Sequence, residues 1–293
     1  MNSFFIFLKK PHGWTSQKCL TVFKKKFDFK KVGHHGTLDP FATGLLLVGV
    51  GEATKFFRFL EDSQKTYVAK LRFGEETDTL DNTGKVIVKG DIPKFSQEEI
   101  FKKIAPLIGE IEQTPPMYSA IKVEGQRLYE LARKGQEVER KSRRVNIFDL
   151  QIKKWEPPIL SFKTTVSRGT YIRALAKQIA GQLGSVGHLI ELTRTRLLNH
   201  DLDSAFDLEE GGQNLKDFQI EIPKLLAHLP TKEFSLSQAK DLIFGKPVPL
   251  KESFSSPYVL CEHEGHFLGI AKQDDNNTLK PERLMSKIGV VPM

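Results

Sequence analysis

Cysteine is nearly absent: Cys19 and Cys261 are the only two in 293 residues, far apart and in no metal-ligand spacing. A disulfide-stapled fold and a cysteine-ligated zinc site are therefore excluded, and the reducing cytoplasm is the expected compartment. Long apolar runs are missing too. The opening Met1-Asn2-Ser3-Phe4-Phe5-Ile6-Phe7-Leu8-Lys9-Lys10 holds a short apolar stretch with no basic segment before it. It is too short for a secretion signal or a membrane span, and it reads as a strand ending at the lysines. Tyrosine is scarce, five against 21 Phe, so ring packing falls to phenylalanine and each tyrosine raises the question of what its hydroxyl does. No internal repeat, coiled coil or long disordered tract is evident. Acidic residues are outnumbered, 36 against 44 Lys plus Arg, and the net charge of +8 favours a polyanionic partner. The rest is ordinary: 39% hydrophobic and 27% charged residues suit a soluble chain with one large domain and a small one.

One stretch departs from this background. Residues 33–44 read Gly33-His34-His35-Gly36-Thr37-Leu38-Asp39-Pro40-Phe41-Ala42-Thr43-Gly44, run on through apolar 45–50, and close on Gly51-Glu52-Ala53-Thr54-Lys55. Proline disfavours the helical region for the residue before it, so Asp39 is expected extended on a stiff loop with its carboxylate held out. Gly33, Gly36 and Gly44 permit unusual dihedrals or close approach of a ligand. Residues 45–50 read as a fully buried strand, a rigid mount for that loop. An ordinary turn would show the same local pattern.

Other segments add candidates. Thr15 or Ser16 caps a helix ending in Lys24-Lys25-Lys26, which with Lys30 and Lys31 is either a solvated face or a phosphate contact near Asp39. Residues 65–73 alternate as a half-buried strand, with Val68 leaving the direction of the Tyr67 ring open. The acidic turn 74–84 lacks the ligand order of an EF-hand and is not read as a metal loop. A strand follows at 86–88, then a helix over 96–107 capped by Ser96, with Ile100, Ile104 and Leu107 inward. Gln113-Thr114-Pro115-Pro116-Met117-Tyr118-Ser119-Ala120-Ile121-Lys122 is a proline-stiffened loop with two hydroxyls feeding a strand. A short helix over 125–135 carries Arg127, Arg133 and Lys134, and Arg140-Lys141-Ser142-Arg143-Arg144 is the densest basic cluster. Together they read as an electrostatic track for folded RNA. Arg173 falls in the first turn of a helix over 171–183, where the macrodipole disfavours a cation unless an anion compensates. Arg194 and Arg196 share a strand face, as phosphate contacts or as edge decoration. Beyond about 230 come a helix over 235–244 and strands at 258–261, 267–271 and 283–285.

The run 33–55 closely resembles the catalytic motif of the bacterial TruB-type tRNA pseudouridine synthases, Gly-His-x-Gly-x-Leu-Asp-Pro-x-Ala-Thr-Gly followed by Gly-Glu-Ala-Thr-Lys, with every fixed position filled. Further motifs of that family follow in order up to about residue 200: Lys-x-Tyr at 65–67, Gly-x-x-Thr-x-Thr-x-Asp-x-x-Gly at 74–84, Pro-Pro-x-Tyr-Ser-Ala-x-Lys at 115–122 and Gly-x-Tyr-x-Arg at 169–173. Residues 9–16 match its amino-terminal segment more loosely. The resemblance implies an α+β fold, a pseudouridine-synthase-like mixed, mainly antiparallel sheet flanked by helices over 1–229. Residues 230–293, through Phe267-Leu268-Gly269-Ile270-Ala271, resemble a small β-rich PUA-like RNA-binding domain, and a generic β-rich tail would show the same pattern. It implies Asp39 as nucleophile, Arg173 as its partner, and Tyr67 stacked on the target base as a proton acceptor. His34, Tyr171, Leu192 and Lys55 are the implied substrate contacts. The implied reaction isomerises uridine-55 in the T arm of tRNA after base flipping, with no cofactor, no metal, no membrane and no obligate protein partner, so a monomer is expected. Arg173 beside Asp39 is expected to lower its pKa and keep it ionised. A non-catalytic RNA-binding protein or tRNA-folding chaperone fits the basicity and the tail equally well. A metal phosphoesterase using His34, His35 and Asp39 lacks further ligands, and neighbouring residues of an extended stretch point opposite ways.

Overall fold

The computed structural model describes residues 3–286 apart from 62, 120–121, 124, 134 and 137. Ala120 and Ile121 of the proline-led motif, and Lys134 of the basic helix, lie outside the described residues. Ten strands form one sheet, in the order Phe206–Asp207, Phe4–Lys10, Thr43–Val50, Gly187–Leu197, Lys65–Phe73, Ile159–Val166, Arg143–Glu156, Gly109–Gln113. Val32–His35 adds to Thr43–Val50, and His200–Asp201 adds to Gly187–Leu197. Two pairings are parallel, Thr43–Val50 with Gly187–Leu197 and Phe4–Lys10 with Phe206–Asp207, and the others are antiparallel. The mixed, mainly antiparallel α+β expectation is met.

Alternation decides the centre. In Lys65–Phe73, residues Tyr67, Ala69, Leu71 and Phe73 are buried while Val68 is 37% exposed, so the Tyr67 ring points inward. Gly187–Leu197 is flanked by strands on both sides, which corrects the edge-strand reading of Arg194 and Arg196. A register shift leaves Thr195 unpaired between Arg194↔Tyr67 and Arg196↔Thr66. Such a bulge breaks strict alternation. Arg194 accordingly turns inward, 1% exposed, and Arg196 stays outside near Asp201.

Helices cover the two ends of the sheet. Ser16–Lys26 starts at Thr15, whose side chain accepts from Lys18 N–H, and buries Cys19, Leu20 and Phe23 against Phe4, Ile6, Leu46 and Val48. Ile172–Gln182 and Gln97–Ile104 pack Ile172, Leu175, Ile179, Ile100 and Ile104 onto Leu71, Phe162 and Leu189. The expected helix over 96–107 ends at Ile104, and Pro106 lies in a 3-10 turn. A proline removes a helical hydrogen bond, which accounts for the change.

A second sheet of five strands follows in the order Thr231–Glu233, Tyr258–His263, His266–Gln273, Thr278–Leu284, Val248–Pro249. Its own core holds Phe234, Ala239, Leu242, Val259 and Leu268. Leu260 and Ile270 share another cluster with Phe5, Phe7 and Leu47 of the first sheet and with Phe56 and Phe59 of the 3-10 turns that follow Thr43–Val50. The two sheets thus meet through an apolar seam.

Candidate active site

A cavity of roughly 860 Å³ opens beside the Asp39 loop, lined among others by His34, Asp39, Asp81, Tyr118, Ser119 and Arg173. The loop is pinned from several sides. Ser16 Oγ accepts from Leu38 N–H at 2.9 Å and donates to Leu38 O at 3.0 Å. Gly13 N–H donates to Pro40 O at 2.8 Å. Lys10, itself buried, donates from Nζ to Trp14 O at 2.6 Å, Pro11 O at 2.9 Å and Pro40 O at 3.3 Å, and burial brings its pKa down to about 8. Arg194 braces the far side, donating from Nε to Leu45 O at 2.7 Å and from Nη2 to Gly36 O at 2.8 Å. Gly44 must be glycine: its φ is +105°, and a Cβ there would lie 2.3 Å from Arg194 O.

Arg173 supplies the charge opposite. Its Nε lies 2.9 Å from Asp39 Oδ2 and its Nη1 lies 3.4 Å from Asp81 Oδ2. Nη1 also donates to Thr79 O and Nη2 to Tyr118 O, each at 2.7 Å. The guanidinium is 3% exposed, whereas the Asp39 side chain keeps 35% of its surface open. The dipole argument for a nearby anion is thus met by two. Asp81 is buried, and its Oδ1 accepts from Thr79 Oγ1 at 2.8 Å, Thr83 Oγ1 at 2.5 Å and Thr83 N–H at 3.0 Å.

The expected lowering of the Asp39 pKa is overturned. Burial among protein atoms pushes its carboxyl above the ordinary value; Arg173 pulls it down, but Asp81 pushes it up again. Arg173 does act in the expected sense. Because it is shared between two carboxylates, its pull does not cancel the loss of water.

The other expected residues divide into groups. His34 lines the cavity; its Nδ1 is buried without a partner, and burial and then Arg194 lower its pKa. Its neighbour His35 is pushed down to about 4, chiefly by burial, so that ring is neutral at physiological pH. Ser119 Oγ is a second buried, unpartnered polar atom on a cavity-lining residue. Tyr67 and Leu192 pack with Leu38 and Phe41 of the same loop. Tyr171 stands at the N-cap position of the helix bearing Arg173, with its N–H on Gln113 Oε1 at 2.7 Å and the Arg143 guanidinium 4.9 Å from its ring centre. Tyr67, Tyr171 and Leu192 are not among the residues lining the cavity, and neither is Lys55. It donates to Ser286 Oγ at 2.9 Å and lies 3.6 Å from Glu52, which accepts from Ser286 N–H at 2.7 Å. Among the described residues no three His, Cys, Asp or Glu side chains converge as a metal ligand set.

Sequence reasoning gave no role at the site to Asp81 or Lys10, and offered Ser16 only as a helix cap. For Asp81 a signal existed: it sits between Thr79 and Thr83, hydroxyls that can satisfy a buried carboxylate. The bracing by Lys10 and Ser16 spans long loops and leaves no local trace. The basic cluster is partly occupied within the protein: Arg143 donates to Gly169 O, and Arg144 pairs with Glu110 at 3.2 Å.

This architecture is shared with solved structures. One is a chain of an H/ACA RNP bound to a substrate RNA containing 2′-deoxyuridine, with a TM-score of 0.72 and 20% identity, covering 99% of this chain and 87% of that one. Another belongs to a Cbf5-Nop10-Gar1 complex, with a TM-score of 0.70 and 24% identity, covering 96% and 84%. Residues 24–172 match the TruB family pseudouridylate synthase N-terminal domain, and residues 230–285 match the pseudouridine synthase II TruB C-terminal domain. The fold and these matches define a pseudouridine synthase, an isomerase.

Whole-chain relatives narrow the class. The tRNA pseudouridine synthase B of Aromatoleum aromaticum is 40% identical over 287 residues, 97% of this chain and 92% of the relative. That of Clostridium tetani is 44% identical over 219 residues, 74% and 76%. That of Coxiella burnetii is 35% identical over 291 residues, 96% and 94%. The chain belongs to the TruB family.

Proposed function

We propose that the protein converts uridine-55 in the T arm of tRNA to pseudouridine, with Asp39 as nucleophile. The observation that carries this reading is the Asp39–Arg173 pair: a partly open carboxylate beside a buried guanidinium, on a cavity that also offers apolar Leu38, Pro40 and Phe41 and the polar side chains of His34, Tyr118 and Ser119. A stacked uridine cannot be attacked in place and must be flipped into such a cavity. The buried, unpartnered His34 Nδ1 and Ser119 Oγ lie where polar edges of a nucleotide would satisfy them.

Asp39 adds covalently, at C6 of the base or at C1′ of the sugar, and the N1–C1′ bond breaks. The freed uracil turns over and joins C1′ through C5; the C5 proton then leaves to Tyr67 or to water, and the aspartyl bond is released. Atoms and electrons balance without an oxidant or reductant, so the reading calls for no cofactor. Arg173 holds the attacking oxygen in one direction, and Tyr67 and Leu192 belong to the buried cluster that also holds Leu38 and Phe41 of the loop. In this reading residues 1–229 are the catalytic unit and 230–293 a PUA-like RNA-binding unit, in a cytoplasmic monomer.

The test is to incubate the purified protein, and its Asp39→Asn variant, with an unmodified tRNA transcript and to map pseudouridine. The expected result is product at position 55 with the first and none with the second, while tRNA binding persists in both. Product formed by Asp39→Asn would overturn the role of Asp39, and an inactive wild-type protein that binds tRNA would favour the chaperone reading.

A further inference from the structure

The start of the helix bearing Arg173 is held by two residues with no other assigned task. Gln113 and Arg143 face each other across neighbouring strands, as register partners. Both reach the turn over 167–171. Gln113, buried, accepts the Tyr171 N–H at 2.7 Å; Arg143 donates from Nη2 to Gly169 O and lays its guanidinium 4.9 Å from the centre of the Tyr171 ring. Gly169 has φ +88°, and a Cβ there would touch that guanidinium at 3.5 Å. Two residues earlier, Ser167 ties the turn to the same strand, with N–H on Asn146 O and Oγ accepting from Asn146 N–H, both at 2.9 Å. Tyr171 stands at the N-cap without giving a side-chain cap, so the helix start depends on these outside partners.

We propose that Gln113 and Arg143 are positioning residues for the reaction: a clip that sets the Tyr171 ring and the helix start, and through it Arg173. Arg143, although part of the densest basic cluster, works inward on Tyr171 and not outward on RNA phosphate. A guanidinium is planar and can stack on a ring while its fork donates to a carbonyl; an ammonium does neither in that geometry. With one ring face covered, the other is left for the nucleotide. The inference rests on the proposed contact between Tyr171 and the flipped nucleotide.

The experiment compares full-length wild type with Arg143→Met, Arg143→Lys and Gln113→Leu, using tRNA tritiated at C5 of uridine, whose label passes to water when C5 joins the sugar. It reads kcat, KM and the slope of log Kd against log salt. All three variants are expected to lose about tenfold or more in kcat, as misplacement of a positioned group does. KM is expected to change by less than about twofold, since the contact matters after flipping. The salt slope is expected to match wild type. The proposal is overturned if Arg143→Lys keeps wild-type kcat, or if kcat is unchanged in Arg143→Met. It is equally overturned if the slope of Arg143→Met drops by about one with kcat retained, the mark of a lost phosphate contact. Arg143→Lys keeps the charge and most of the stem, so its fold is checked by circular dichroism and its result stands if Met fails to fold. Asp39→Asn in the same assay separates the two readings: if it too releases tritium, the nucleophile assignment has failed and not only the clip.

Discussion

Removing the Arg173 guanidinium tests both the stability and the chemistry of the site. In Arg173→Met the Asp81 carboxylate keeps its three bonds from Thr79 and Thr83 on Oδ1 but loses the cation at Oδ2, and the Thr79 and Tyr118 carbonyls lose their donors. Asp39, 35% exposed, recovers part of its solvation from water and contributes less. Breaking a buried pair by deleting one member costs about 3–5 kcal/mol, mostly because an uncompensated charge stays behind. The thermal midpoint should therefore fall by on the order of 5–15 °C, and pseudouridine formation should be lost. Adding Asp81→Asn removes the stranded charge while leaving an acceptor for Thr79 and Thr83, and should restore about 1–3 kcal/mol. Differential scanning fluorimetry of the two single variants and the double variant reads this directly. A double variant at least as unstable as the two single losses added together would refute the reasoning that stranded charge dominates.

Asp39→Asn should abolish product yet leave the thermal midpoint at or above wild type, because the fold raises this carboxyl's pKa and so disfavours its ionised form; a large drop in midpoint would contradict that. The same shift places the acid limb of kcat/KM against pH above the ordinary carboxylate range. Activity requires the ionised form and is lost as pH falls through the raised pKa, and Asp81→Asn, by removing a like charge, should move that limb to lower pH. Arg194→Met leaves Gly36 O and Leu45 O without donors and should cost about 2–4 kcal/mol as well as most of kcat, measured by denaturation and tritium release. Gly44→Ala forces a Cβ against the Arg194 backbone at 2.3 Å and should yield little soluble protein; wild-type expression would show that the neighbouring strand can give way.

Much of the fold could be read ahead because its patterns are local. The buried strand behind Asp39, the Ser96 cap and the inward stripe of the Arg173 helix follow from spacing alone, and the structure picks Thr15 from the two caps that the spacing left open. What escaped depends on partners far along the chain. A bulge at Thr195 reverses the meaning of Arg194, and bulges are set by the neighbouring strand, not by composition. Lys55 follows the same rule, since Ser286 claims it from 231 residues away. The sign of the Asp39 shift depends first on how far the folded chain strips water from the carboxyl and then on Asp81, which shares its guanidinium, and neither is written in the local sequence.

The apolar seam joining the sheets constrains how the enzyme grips its substrate. Phe5 of the first sheet and Phe56 and Phe59 of the turns after its strand Thr43–Val50 find part of their cover in Leu260, Ile270 and Tyr258. A unit attached this way is a fixed jaw, not a tethered hand: RNA bound there, as proposed, is held at a set distance from Asp39, and cutting the unit off would lay bare an oily face on the remaining body.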